Sequence, residues 1–288
     1  YNKKIPKTFE DMIVEKTGFA NLIQLVRPRK IMYILFDKLG TPEKKLFCKI
    51  SKYDLTEKIT PMKRTFSNMK DSDEQIVIED WAGGSVLNPY NKNDINLVMK
   101  WLINFQNNSS SELLSRDEIE EEIFNMKNYF DITEEMSDLS YSKWLDEYKH
   151  QISHLNLKKT GVHNNLRPNH IYVDHNNSKI NVIDWEDFQS KGNPLFDFMW
   201  FTITIMMWSV DSKKEFSSNL DGTGKATSII KIIKKNMDIH FQTNFNFIIL
   251  LRFFILKWIF YKSKRSSKVD LLYIDFLKLL SDKKMIDI

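Results

Sequence analysis

Between Gly161 and Phe198 the chain reads GVHNNLRPNHIYVDHNNSKINVIDWEDFQSKGNPLFDF. Asn165, Arg167 and His170 stand in a first polar loop, and Asp184 opens a second. Amide, guanidinium, imidazole and carboxylate groups at such spacing could bind phosphate and a divalent cation. Tyr172 and Val173 lie between polar neighbours, Asn176-Asn177-Ser178 offers turn chemistry, and Ile180, Val182 and Ile183 form a second apolar run. This pattern predicts a β-hairpin. A hairpin brings its outer ends together, so the side chains around Asn165 are expected near Asp184.

The segment resembles the aminoglycoside phosphotransferase and choline kinase-like family, distantly related to the protein kinases. The family's first loop reads His-Gly-Asp-Leu-x-Pro-x-Asn-Ile. Its second reads Ile-Asp-Trp-Glu, followed by Gly-x-Pro-x-x-Asp. Here His163-Asn164-Asn165-Leu166-Arg167-Pro168-Asn169-His170-Ile171, Ile183-Asp184-Trp185-Glu186 and Gly192-Asn193-Pro194-Leu195-Phe196-Asp197 align without a gap. The resemblance implies an α+β, bilobal protein kinase-like fold, with a small antiparallel β N-lobe and a larger, mainly helical C-lobe. It also implies ATP and Mg2+ bound between the lobes, and transfer of the γ-phosphoryl group to a hydroxyl of a small metabolite. By the same resemblance Asp184 holds Mg2+, and Asp197 supports the catalytic loop through hydrogen bonds.

Two departures from the family change the chemistry. Asn165 stands where the family has its catalytic Asp, and His170 where it has a metal-binding Asn. An amide cannot accept a hydroxyl proton as a carboxylate does, and losing a general base costs about 10²–10⁴ in rate. Phosphoryl transfer rests mostly on positioning and charge stabilisation, so the loss need not be total. At Asn165 the remaining role is to orient the acceptor hydroxyl, while Arg167 could offset charge on the transferred group. His170 offers nitrogen where Mg2+ prefers oxygen. The alternative reading is a pseudokinase, a nucleotide-binding or scaffold module that keeps the fold.

The elements that must position these groups come in a consistent order. Phe19 to Val26, Lys30 to Phe36, Leu46 to Ile50 and Gln75 to Glu79 read as strands, separated by turn-like stretches. Asp80-Trp81-Ala82-Gly83-Gly84-Ser85 reads as a hinge, its paired glycines permitting unusual backbone angles. From Asp94 onward apolar residues recur at helical steps. The expected division is a β-rich lobe over 1–80 and a helical lobe over 81–288, with the hinge about 79–85.

In the family a Lys at the position of Lys49 reaches the nucleotide's phosphates; its acidic partner is not fixed by the sequence, Glu57 being the only Glu between Lys49 and Glu74. Arg27 and Arg29 replace the glycines that related kinases place between the first strands, and read either as phosphate contacts through their side chains or as a solvated basic turn. Glu79 to Ala82, including Trp81, would meet adenine through backbone groups. The interval from Lys49 to the hinge looks short, which suggests a trimmed helix or a missing strand.

The chain has 288 residues, 42% hydrophobic and 28% charged, with a formal net charge of +4. That balance fits a globular protein, and the interspersed charges argue against a nucleic-acid partner. A lone Cys48 excludes an internal disulfide framework and, with no secretory signal at its opening, suggests a cytoplasmic protein. Phe198 to Val210 is too short to cross a bilayer, and Phe245 to Tyr261 reads as a core helix with snorkelling Arg252 and Lys257. No membrane partner is expected, and the oligomeric state is not fixed by the sequence. His150 and His154 share a helical spacing but lack the third ligand of a zinc site. Asp221 to Lys225 only superficially resembles a phosphate loop. The acidic block Asp117 to Glu122 reads either as a solvated helix face or as a lining for a cationic substrate. Asn107 to Ser111 and Ser212 to Lys225 are expected as exposed loops.

Overall fold

The computed structural model describes residues 21–27, 30–36, 46–51, 69–72, 76–80, 84–263, 271–281 and 283, the first five stretches as strands only. The chain divides into two compact units, Tyr1–Gly83 and Gly84–Ile288.

In the first unit β1 (Asn21–Arg27), β2 (Lys30–Phe36), β3 (Leu46–Ser51), β4 (Met69–Ser72) and β5 (Ile76–Asp80) form one antiparallel sheet. Their order is β1-β2-β3-β5-β4. Branched and aromatic residues fill the first three strands, as a pleated surface favours. Lys49 sits in the middle strand, in register with Met32 on one side and Val77 on the other. β4 lies in the interval that looked short of a strand, so that strand is present. Its charged, methionine-led sequence, MKDS, carries no alternation to reveal it.

The second unit opens on Gly84, whose φ of +100° only glycine adopts readily. A Cβ there would also stand 2.3 Å from the Val173 carbonyl oxygen. This lets β6 (Ser85–Val86) pair with β8 (Ile171–Asp174), which pairs in turn with β9 (Lys179–Val182). Ser85, read as hinge, is therefore the start of a strand. β7 (Thr160–Val162) pairs separately with β10 (Gln189–Gly192).

Helices make up most of the remainder. α1 (Lys92–Ser109) starts where Asn91 Oδ1 accepts the Asn93 and Asp94 N–H groups. α2 (Arg116–Asp131) starts on a Ser115–Glu118 capping box, each side chain meeting the other's backbone. α3 (Tyr141–Ile152) buries Trp144, Leu145, Tyr148 and Ile152, a single apolar stripe. α4 (Leu195–Met206) is buried along its whole length, and α7 (Phe247–Ser263) along most of it. Their aromatic rings lock these helices together: Trp200 stacks on Trp258 at 3.7 Å, and Tyr148 on Phe253 at 3.4 Å. α8 (Leu271–Ser281) closes this group. No helix among the described residues is long and apolar enough to cross a membrane.

Three expectations need correction. Ser212 to Lys225 is not a loop throughout: α5 (Ser212–Leu220) occupies most of it. Asp211 caps that helix by accepting the Lys214 N–H, and Phe216 and Leu220 are buried. Asn107 to Ser109 is likewise the last turn of α1. Finally, Arg252 does not snorkel, being only 7% exposed. It donates to the carbonyls of Leu280, Ser281 and Lys283 at 2.7, 3.3 and 2.7 Å, which tethers the end of α8. Lys257 pairs with Glu122 at 2.6 Å. α6 (Thr227–Phe241) follows the Asp221–Lys225 turn and packs on α1.

Candidate functional site

β8 and β9 are in register from Ile171↔Val182 to Asp174↔Lys179. Asp174 holds the turn by accepting the N–H groups of Asn176 and Asn177. One step beyond the outer end of the ladder, the Ile183 N–H donates to the His170 carbonyl at 2.9 Å. The two polar loops are thus joined by a continuation of the sheet.

Asp197 fixes the first loop from below. Its carboxylate, fully buried in the first turn of α4, accepts the His163 N–H at 2.7 Å and the Asn164 N–H at 3.0 Å. Burial pushes this carboxyl up to about 7, partly opposed by those two bonds. Asn164 takes φ 61°, a left-handed conformation that Asn tolerates better than most residues. Its side chain donates to the Asp187 carbonyl at 2.8 Å, stitching the first loop to the second. Asn164 was not singled out from sequence, although an Asn beside the loop's key position is a recognisable signal for left-handed backbone.

His163 joins the loops a second time. Its Nδ1 accepts the Asn165 N–H at 3.2 Å, so the proton sits on Nε2, which donates to the Ile183 carbonyl at 2.8 Å. The ring rests against Trp185, 4.4 Å between centroids, and the Trp185 Nε1–H donates to the Val182 carbonyl.

On this frame stand four of the side chains singled out above. Arg167 donates from Nε and a terminal nitrogen to Asn165 Oδ1, at 3.0 and 2.6 Å. The carbonyl end of the amide is thereby occupied, and its NH2 end remains as a donor. His170 Nδ1 lies 3.0 Å from the Asn165 carbonyl, and His170 Nε2 lies 3.5 Å from Asp184 Oδ2. Asp184 itself is left-handed, with φ 66° and ψ 51°. Non-glycine residues held there carry strain that the surrounding bonds must enforce. Asn165 and Asp184 are therefore linked through one imidazole.

A carboxylate oxygen and an imidazole nitrogen at this separation suit a divalent cation. Atoms each about 2.0–2.2 Å from one ion can stand no more than about 4.4 Å apart. No group of three or more His, Cys, Asp or Glu side chains among the described residues could hold an ion unaided. Any cation here would therefore draw its other ligands from water or from a bound phosphate.

The other candidates come from other segments of the chain. Arg27, Lys49 and Glu79 belong to strands of the first unit. Arg29, Glu57 and Trp81 lie outside the described residues. α3 ends at Ile152, so His154 stands past the helix, its ring edge-on to His150 at 5.8 Å. In the acidic block Glu118 pairs with Lys159 at 2.7 Å and Glu120 with Lys149 at 2.8 Å. Lys159 holds the Glu118 carboxyl down at about 2. Glu122 pairs with Lys257 at 2.6 Å, while Asp117 and Glu121 of the same block are exposed.

No protein-family model matches this sequence, and no curated protein matches it. Solved structures do. A type I macrolide 2'-phosphotransferase matches with a TM-score of 0.54 at 10% identity, over 96% of this chain and 97% of its own. The choline kinase LicA from Streptococcus pneumoniae matches with a TM-score of 0.50 at 15% identity, over 95% and 99%. The ADP-bound aminoglycoside phosphotransferase APH(2'')-Ib matches with a TM-score of 0.50 at 14% identity, over 94% and 95%. The likeness in each case spans both units and nearly all of both chains, so this chain has the α+β protein kinase-like fold of the aminoglycoside phosphotransferases and choline kinases.

Proposed function

We propose that this chain binds a nucleotide with a divalent cation and transfers the γ-phosphoryl group to a hydroxyl of a small molecule, slowly for want of a general base. The single observation behind this reading is the gathering of Asn165, Arg167, His170 and Asp184 on a frame held by Asp197. The fold is shared with small-molecule kinases, one of them ADP-bound. Asp184 and His170 would hold the cation, which neutralises charge on the phosphates when bound. Lys49 would steady the phosphates, helped by Arg27 and Arg29, and Glu79 and Trp81 would meet the adenine through backbone groups. Arg167 would lie against the transferred group, and Asn165 would orient the acceptor.

One observation favours a second reading, nucleotide binding without turnover. Arg167 holds the Asn165 carbonyl oxygen, so the amide offers hydrogen where a base would offer a lone pair. Two experiments separate these ideas. Titration of Mg2+ with ATP, followed by thermal unfolding, should raise the melting temperature with dose, since ligand that binds only the folded state stabilises it. No rise at saturating nucleotide, with Mg2+ or Mn2+, would remove both readings. If binding occurs, ATP turnover against a panel of hydroxyl metabolites decides between them. Turnover in the parent removes the second reading, whereas turnover only in Asn165→Asp removes the first.

A further inference from the structure

We infer that His170 makes the cation position of this chain selective for a first-row transition metal, Mn2+ or Co2+, over Mg2+. The inference rests on the reading that a metal–nucleotide complex binds at Asp184. The Asn165 carbonyl can only accept a hydrogen bond, so His170 Nδ1, 3.0 Å away, carries the proton. In the neutral ring the lone pair then sits on Nε2, directed at Asp184 Oδ2 at 3.5 Å. Metal-ligating histidines have this arrangement: one nitrogen donates to a backbone carbonyl, and this orients the other toward the ion.

The backbone holds this orientation. The His170 N–H donates to the Arg167 carbonyl and the His170 carbonyl accepts the Ile183 N–H, both at 2.9 Å. His163, the other imidazole of the loop, uses Nδ1 and Nε2 in backbone bonds. The nitrogen ligand is thus assigned to His170. Mg2+ demands oxygen and sheds its water reluctantly, whereas imidazole suits later divalent metals. With two protein ligands and phosphate oxygens for the rest, the favoured ion accepts nitrogen and phosphate together. Mn2+ and Co2+ do so.

The test uses the full chain with Mn2+ and ADP, read by pulsed electron spin resonance. The expected result is nitrogen modulation from an imidazole bound directly to Mn2+, altered when the protein carries heavy-nitrogen histidine. His170→Asn should abolish the modulation and lower the preference for Mn2+ over Mg2+ by about tenfold or more, since loss even of an outer partner costs about 10–100-fold in metal affinity. The labelled parent is decisive by itself if that variant folds poorly. Bound Mn2+ and ADP without an imidazole signal would overturn the inference, leaving a His170–Asp184 ion pair and an intact nucleotide reading. Failure of Mn2+ and ADP to bind at all would overturn the nucleotide reading and this inference with it.

Discussion

Replacing Asp197 with alanine should damage the loop that carries Asn165 more than any change on the surface. The substitution strands two buried N–H groups, those of His163 and Asn164, which now donate at 2.7 and 3.0 Å. A buried donor without a partner costs about 1–3 kcal/mol, so two together cost about 2–6 kcal/mol. Asn164 adds to this, because its φ of 61° is held partly by the same carboxylate. Equilibrium urea unfolding at pH 5 measures the loss. The sign of its pH dependence follows from the raised carboxyl. In the folded state Asp197 titrates at about 7, above the usual unfolded value of about 3.9. Between these values the folded protein keeps a proton that the unfolded chain has released. Parent stability therefore falls as pH rises from about 4 to about 7, by at most about 1.4 kcal/mol per pH unit from this group, and levels off above. The alanine variant lacks that slope, so its deficit should be larger at pH 5 than at pH 8. A loss under about 1 kcal/mol at pH 5, or a deficit that grows with pH, would refute the reasoning.

Other predictions address separate parts of the molecule. Gly192→Ala places a Cβ 2.1 Å from Val162 Cγ2. It should cost about 1–3 kcal/mol by overpacking, and Val162→Ala in the same chain should recover part of that in urea unfolding. Arg252→Leu removes the guanidinium bonds to the Leu280 and Lys283 carbonyls and the pair with Glu147 at 3.4 Å. Hydrogen exchange should then show α8 opening faster while α1 keeps its protection. Asn165→Asp should raise ATP turnover by about 10²–10⁴ over the parent if a general base is what the loop lacks. An unchanged rate in a folded variant would place the defect elsewhere.

The hairpin was legible in the sequence because its alternation, its Asn-Asn-Ser turn and its flanking polar loops all point the same way. The gap-free spacing of the two loops carried the fold as well. β4 and α5 were harder to read. MKDS has no apolar face, and SKKEFSSNL has only Phe216 and Leu220 as apolar residues within a run of lysines and serines. What defines α5 is tertiary: buried Asn219 donates to the Met206 carbonyl and accepts the Ala226 N–H, which fastens the helix end. The burial of Arg252 was hidden for a similar reason, since its carbonyl partners lie 28 or more residues ahead. At the site, residue types predicted which groups meet, but not the direction of their hydrogen bonds. That Arg167 takes the Asn165 oxygen, and that His170 points Nε2 at Asp184, follows only from the folded geometry.

The most direct test of the central claim is calorimetric titration of ADP into the parent and into Asp184→Asn, with and without divalent cation. Asn tolerates the left-handed backbone at this position, so the variant removes charge without adding strain. Binding in the parent that requires the cation, and that weakens by about tenfold or more in the variant, is the predicted result. Equal affinity in the two proteins, or binding indifferent to the cation, would contradict a metal–nucleotide site at Asp184.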